Sequence, residues 1–331
     1  MSKIGFFFTL LATVLVCLLP PAPARAAAGR TFVSAAGNDS NPCTITMPCR
    51  NLQAAYNAVA ANGQIDALDP GNYGSLTITG PVSIQGHGWA GMSATTGAAI
   101  TINATGATDA ITISGVVLDS LGIAGTNGIV FNSGGSLTVT DCVAQNFSFS
   151  SSGGNGILIQ PTSGAMSFVI TNTIVTNNNS GGIVYAPPRF STATANGVID
   201  RVVATNNFIG IAFQTSDGGG ATTGAISNSA VGSSGADGIS VQNNGSPSGA
   251  ALAVSIDNTS STGNAGSGVL VAVTATAILG RSVITANTSF GLRNLTGPNT
   301  VYSYQDNRIN GNGTSAADDI NGSSPNPYTF K

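Results

Sequence analysis

The sequence predicts an all-β solenoid, a single-stranded right-handed parallel β-helix with a short N-terminal capping helix. Three observations predict it. A nine-residue phrase recurs along the chain, a second phrase recurs between its copies, and the apolar residues within both alternate with a period of two. Alternation means strand. Self-similarity at a fixed period means one structural unit stacked on copies of itself.

Copies of the first phrase start at Ile113, Val139, Ile170, Ile199, Ile226, Ile256, Leu279 and Tyr304, as in Ile170-Thr-Asn-Thr-Ile-Val-Thr-Asn-Asn. The starts lie 26, 31, 29, 27, 30, 23 and 25 residues apart, a period of about 27. The second phrase runs Asn127-Gly-Ile-Val-Phe, Asn155-Gly-Ile-Leu-Ile, Gly181-Gly-Ile-Val-Tyr, Ile209-Gly-Ile-Ala-Phe, Asp237-Gly-Ile-Ser-Val and Ser267-Gly-Val-Leu-Val. These runs are too short for helices, and Gly or Asn punctuates them. The Leu-x-x-Leu-x-Leu pattern of leucine-rich repeats is absent. About ten coils stacked at the strand spacing of about 4.8 Å make a rod about 50 Å long.

Each letter of the first phrase has an expected place. The first and sixth positions are mostly aliphatic and face the core. The third is Asn, Asp or Arg in most copies, which suits a bend. The eighth or ninth carries Asn146, Asn177, Asn206, Asn264, Asn287 and Asn312. Asn tolerates the left-handed backbone of a tight corner, and its amide can bond to the Asn of the next coil.

The chain divides into four parts. Residues 1–26 have the layout of a secretory signal peptide: Lys3, an uncharged run from Ile4 to Leu19, then Ala24-Arg25-Ala26. Residues 27–62 are an N-terminal segment in which Leu52, Ala55, Tyr56 and Val59 recur at helical spacing. That helix would plug the open first coil, whose core and strand edges are otherwise exposed. Residues 63–313 form the β-helix, and 314–331 a polar tail folded over its other end.

Composition bounds the function. Without Lys3 and Arg25, 8 of the 10 basic residues remain against 13 acidic ones, and every acid is Asp. So few cations make no basic patch, which argues against nucleic-acid binding. After signal cleavage no apolar stretch is long enough for a membrane span. The expected location is therefore secreted, periplasmic or extracellular, with the rod acting as a monomer. Cys43 and Cys49 lie six residues apart, and in an oxidising compartment a local disulfide between them is expected. Cys142 falls inside a repeat and is expected as a small core-filling thiol.

The runs Val33-Ser-Ala-Ala-Gly-Asn-Asp, Pro48-Cys-Arg-Asn-Leu-Gln-Ala-Ala, Leu68-Asp-Pro-Gly-Asn-Tyr and Val82-Ser-Ile-Gln-Gly resemble the opening of bacterial secreted β-helix proteins of the pectate-lyase-like superfamily. The resemblance spans nearly the whole mature chain. It implies the fold; it does not choose an activity, because that superfamily holds lyases, hydrolases, epimerases, tailspikes and proteins without known activity.

Gly86-His-Gly and Arg308-Ile-Asn resemble fragments of polygalacturonase motifs. Such hydrolases need paired carboxylates, but His87 lies in the first coil and Asp318-Asp319 follows Arg308, the wrong order. His87 is expected as a turn residue. A lyase needs acidic residues for Ca²⁺, its one implied cofactor, and a base to take a proton α to a carboxylate. Stacking the phrases puts Asp141, Asn172, Arg201, Asn228, Asn258 and Arg281 in one column, so Asp141, Asp200 and Arg201 are the catalytic candidates. A solvent-facing turn column has the same appearance.

Four successive coils carry insertions at one corner: Gln160–Ser167, Ala186–Gly197, Gln214–Gly224 and Gln242–Leu252. Loops on a rigid scaffold carry function. An aromatic face with polar neighbours suits a sugar, which selects Gln160, Tyr185, Arg189, Phe190 and Gln214 as substrate-binding candidates. The leading expectation is thus a β-helix that binds an extracellular or envelope polysaccharide without evident catalysis. The alternatives are a lyase or hydrolase acting on an acidic polysaccharide, and a structural surface protein.

Overall fold

The computed structural model describes residues 27–216, 220–244, 251–297, 300–315 and 318–327. The expected signal peptide, and most of the insertion after Gln242, lie outside them.

Each coil contributes three strands, typified by Asn155–Ile159, Ala165–Thr171 and Ile174–Thr176. They stack into three faces of a right-handed parallel β-helix. The first face is a ten-stranded sheet running from Leu76–Ile78 to Ile320–Gly322. The second and third belong to a single twenty-stranded sheet. They are joined where Val82–Met92 and Ala110–Asp119 turn the corner between them without a break.

The interior column is the one the phrase predicts. Ile113, Val139, Ile170, Ile199, Ile226, Ile256 and Leu279 pair in unbroken register, each at most 1 % exposed. The sixth positions, from Leu118 and Ala144 to Ile284, are buried in the same way. The last copy needs a correction. Ser303, not Tyr304, pairs with Leu279, while Ile309 pairs with Ile284. One extra residue in the final bend has moved Tyr304 off the inward position.

The bends break the strand ladder and leave N–H groups that side chains must satisfy. At the first bend the third-position residues Asp141, Asn172, Arg201, Asn228, Asn258 and Arg281 all adopt φ between 46 and 55°. The next residue turns inward and in four coils is a buried hydroxyl, Thr173, Ser229, Thr259 or Ser282; after Arg201 it is Val202. These hydroxyls accept from the N–H of Cys142, Val202, Ser229 and Thr259 in the preceding coil. Cys142 occupies the same column, so its thiol stands where other coils have Ser or Thr. It is buried and free, and burial pushes its pKa up to about 11.

At the second bend the asparagines form two columns rather than one. Asn146, Asn177 and Asn206 are the corner residues, with φ of 66, 56 and 55°. The residue after the corner turns inward: it is Phe147 after Asn146, and Asn178, Asn207, Asn264, Asn287 and Asn312 in other coils, these asparagines at most 3 % exposed. Here the Asn264 amide donates to Asn287 Oδ1 at 2.7 Å and Asn287 to Asn312 Oδ1 at 2.8 Å. Asn312 donates in turn to Asp319 at 2.9 Å, which ends the ladder. The glycine of the second phrase has its reason here. A Cβ on Gly156, Gly182, Gly238, Gly268 or Gly291 would stand 2.6–2.9 Å from the Nδ2 of an inner Asn.

The N-terminal helix spans Leu52–Ala58 and buries Leu52 and Ala55 over the first coil. Strand Ala28–Val33 pairs with Val59–Ala67, and the Thr31 hydroxyl donates to the Ala55 carbonyl at 3.1 Å. Cys43 and Cys49 are disulfide-bonded, and Cys49 is bridged to Val33. At the other end the coil continues past Gly313, where the sequence reading closed it. Ile320–Gly322 pairs with Leu292–Asn294, and Asn326–Pro327 with Tyr302–Ser303.

Gly268→Ala should destabilise the rod by about 1–3 kcal/mol, because the Asn287 amide must leave its partners or the coil must shift. Urea denaturation measures this, and Ile199→Asp should abolish folded protein altogether. Without reductant, a thiol reagent should label no cysteine of the folded protein and only Cys142 after denaturation.

Candidate functional site

The outer surface of the first face and the second bend beside it form one continuous trough. Outward residues of successive strands line up along the first face. Val130, Leu158, Val184, Ala212, Ser240 and Leu270 occupy one position. Farther along, the Asn132 amide donates to Asn103 and the Gln160 amide to Asn132, while Gln214 pairs in register with Gln242. At the first of these positions Leu158 and Val184 are partly exposed while Val130, Ala212, Ser240 and Leu270 are buried, so the face is a shallow, mostly apolar floor with an amide stripe beside it.

The second bend supplies the trough's aromatic rim. A cavity of about 380 Å³ runs along Asn146, Asn177 and Asn206 and ends at Ser233. A second of about 510 Å³ lies between Phe149 and Phe208 and reaches Val184, Ala212 and Gln214. Phe208 and Asn179 line both, which joins them. Phe149 and Phe208 are 56 % and 51 % exposed. Both come after the inward residue that follows a corner asparagine, Phe149 past Phe147 and Phe208 past Asn207.

Of the expected sugar-binding residues, Gln214 lies in this trough and Gln160 in the amide stripe. Arg189 and Phe190 lie in the following loop, with the guanidinium 4.9 Å from the Phe190 ring centre. Phe190 is 70 % exposed. Tyr185 must be corrected. It is only 1 % exposed and its ring stacks inside the coil with Phe168 at 5.9 Å and near Phe213 at 6.1 Å. Position decides this: Tyr185 pairs with Ile159 and Phe213, the inward residues of their strands. Burial raises its pKa. Phe149 and Phe208 were missed, although Asn-Phe-Ser-Phe and Asn-Asn-Phe at the same corner of nearby coils were visible signals in a chain with 13 Phe.

The lyase candidates are only partly brought together. Arg201 directs Nε to Asn172 Oδ1 at 2.7 Å, one terminal nitrogen to the Thr171 hydroxyl at 3.1 Å and the other to Asp200 at 2.5 Å. Asn172 stands between Arg201 and Asp141, and the Asp141 carboxylate accepts from Thr140 at 3.1 Å. Donation from Asn228 and Ser227, with Arg201 beside it, holds the Asp200 carboxyl below the usual carboxylate range. Among the described residues no three His, Cys or Asp side chains cluster as metal ligands.

His87 has the left-handed turn conformation expected of it, with φ 56°. Coil stacking also gives it a partner the linear sequence hides. Its Nε2 lies 3.3 Å from Asp66, a buried carboxylate also bound by Arg30 at 3.1 Å. The Trp89 ring centre is 5.4 Å from that of His87.

No protein-family model matches the chain, and no curated protein matches it. Solved structures do. A pectate lyase, Pel9A, superposes with a TM-score of 0.51 at 15 % identity, covering 91 % of this chain and 78 % of that one. The GH136 lacto-N-biosidase from Eubacterium ramulus gives 0.52 at 8 % identity, covering 100 % and 72 %. The fold is thus the pectate-lyase-like right-handed β-helix.

The depressed Asp200 carboxyl makes an acid-stability prediction. A group whose folded pKa lies below its unfolded value, about 3.9 for Asp, stabilises the fold above that value. The contribution is lost as pH falls through the folded pKa. Asp200→Asn should therefore flatten the decline of melting temperature below about pH 5 relative to wild type.

Proposed function

We propose that this protein is a secreted β-helix that binds a polysaccharide along the outer trough of its first face, as a monomer and without catalysis. The observation that carries the reading is the joined cavity between the half-exposed rings of Phe149 and Phe208, floored by Val184 and Ala212 and edged by amides. Aromatic faces stack on the apolar faces of sugar rings, and amides pair with their hydroxyls. Gln160 and Gln214 extend the polar edge toward the loop of Arg189 and Phe190. The comparison with a pectate lyase and a lacto-N-biosidase supports the reading to the extent that both act on carbohydrate. The Cys43–Cys49 disulfide fits an oxidising compartment, and no helix among the described residues is long and apolar enough to cross a membrane.

A Ca²⁺-assisted lyase centred on Asp141, Asp200 and Arg201 is the second reading, favoured by the Asp200–Arg201 pair. An Arg held by a carboxylate and two further acceptors is a poor base, since its proton is the one those bonds use. Incubation with pectate, alginate or hyaluronan, with and without Ca²⁺, should yield no unsaturated, ultraviolet-absorbing product. Polysaccharide-containing gels should retard the protein, less so after Arg189→Ala with Phe190→Ala. A lyase rate abolished by Arg201→Ala would replace this reading. Retardation by no polysaccharide, without turnover, would leave a structural surface protein.

A further inference from the structure

Resting on the polysaccharide reading, we infer that the ligand is an uncharged glycan lying parallel to the solenoid axis, with about one sugar ring per coil. Charge is the first argument. None of the described residues lining the two joined cavities is ionisable; they are Asn, Ser, Gln, Gly and apolar side chains. An acidic polymer would have to bring a carboxylate on each uronate into this trough and leave it without a cation. Carboxylate recognition calls for Arg, Lys or a bound metal. Electrostatic complementarity here favours a ligand with no charge to match.

Spacing is the second argument. The corner amides of Asn146, Asn177 and Asn206 repeat once per coil, and the Asn177 amide donates to Asn146 Oδ1 at 2.8 Å. One coil advances about 4.8 Å, close to the rise of one ring in an extended polysaccharide. Phe149 and Phe208 belong to coils two apart, with Asn179 and Ser180 of the intervening coil between them. Alternate rings of such a chain would present a face to each Phe, while the intervening ring meets the amide and hydroxyl.

The amide column also ends. Beyond Asn206 the corner positions are Ser233, Gly263, Ala286 and Gly311, each with positive φ. A corner without a side-chain amide offers the ligand little, so the site spans only the coils from Asn146 to Ser233. Affinity should then grow with oligosaccharide length until the ligand covers those coils, and no further.

The test is calorimetric titration of the full chain with a panel of neutral glucans, mannans, xylans and galactans, and with pectate and alginate, at low and high salt. The expected result is binding to a neutral glycan that is insensitive to salt. It should weaken about tenfold in Phe208→Ala and in Phe149→Ala, from the loss of stacked area. Both rings are half exposed, so an unchanged melting temperature will show that folding is intact. Binding to uronate polymers alone, weakened by salt, would overturn the inference while leaving the polysaccharide reading in place. Neutral binding that neither Phe substitution weakens would overturn the assigned trough. Binding to no member of the panel would overturn the polysaccharide reading itself.

Discussion

A coil of parallel strands satisfies its own backbone along the flat faces and cannot do so at the bends. Everything else in this rod depends on how the bend N–H groups are paired. Two internal ladders do it: hydroxyls of Thr173, Ser229, Thr259 and Ser282 at one bend, and the inward asparagines at the other. Each inner Asn accepts from the backbone N–H of the coil before; Asn178, Asn264, Asn287 and Asn312 also donate their amides onward, while Asn207, which faces Ser234, donates back to the Val175 carbonyl. Asn287 Oδ1 takes the Asn264 N–H at 3.1 Å as well as the Asn264 amide. The side chains are buried, so an unmatched one would carry its full desolvation cost. The ladder therefore fixes coil register as firmly as the aliphatic column does.

This pairing explains why the two recurring phrases belong together. The inner asparagine of one phrase fills the space that a side chain on the other's glycine would need. The glycine cannot take a side chain while the asparagine stays in place. The aromatic core follows similar logic: Gly197 and Gly224 sit against the Phe168 and Phe213 rings, at distances that leave no room for a Cβ. Small residues here are shaped by what stacks over them from neighbouring coils.

Periodicity made the architecture legible. The inward Ile/Val/Leu column, the capping helix and the Cys43–Cys49 pair were visible because each depends on local spacing or on repetition. Adjacent identical letters were harder. Asn-Asn at 177–178 and 206–207 looks like one column with slack, but one residue turns out and the other in. Tyr185 misled for a related reason. As the last letter of the second phrase it occupies the position of Phe131 and Phe213, which are fully buried, yet its neighbouring insertion suggested a surface role. The trough was hidden because its parts come from coils about 27 residues apart, and none of Phe149, Phe208 or Gln214 is distinctive alone.

The inner asparagine ladder has one missing rung. Between Asn207 and Asn264 the position is Ser234, whose hydroxyl is buried and, among the described residues, has no hydrogen-bond partner, although its backbone N–H still donates to Asn264 Oδ1 at 3.0 Å. A serine is too short to span the gap that an asparagine amide crosses. In a structure held by nearest-neighbour contacts, a weak junction divides the cooperative unit. Here the strands pair through the coil without a break, so the junction is weakened at one side chain and not divided. Ser233 and Gly235, on either side of the gap, form the end wall of the trough. The outer trough therefore ends at the same coil at which the inner amide ladder is interrupted.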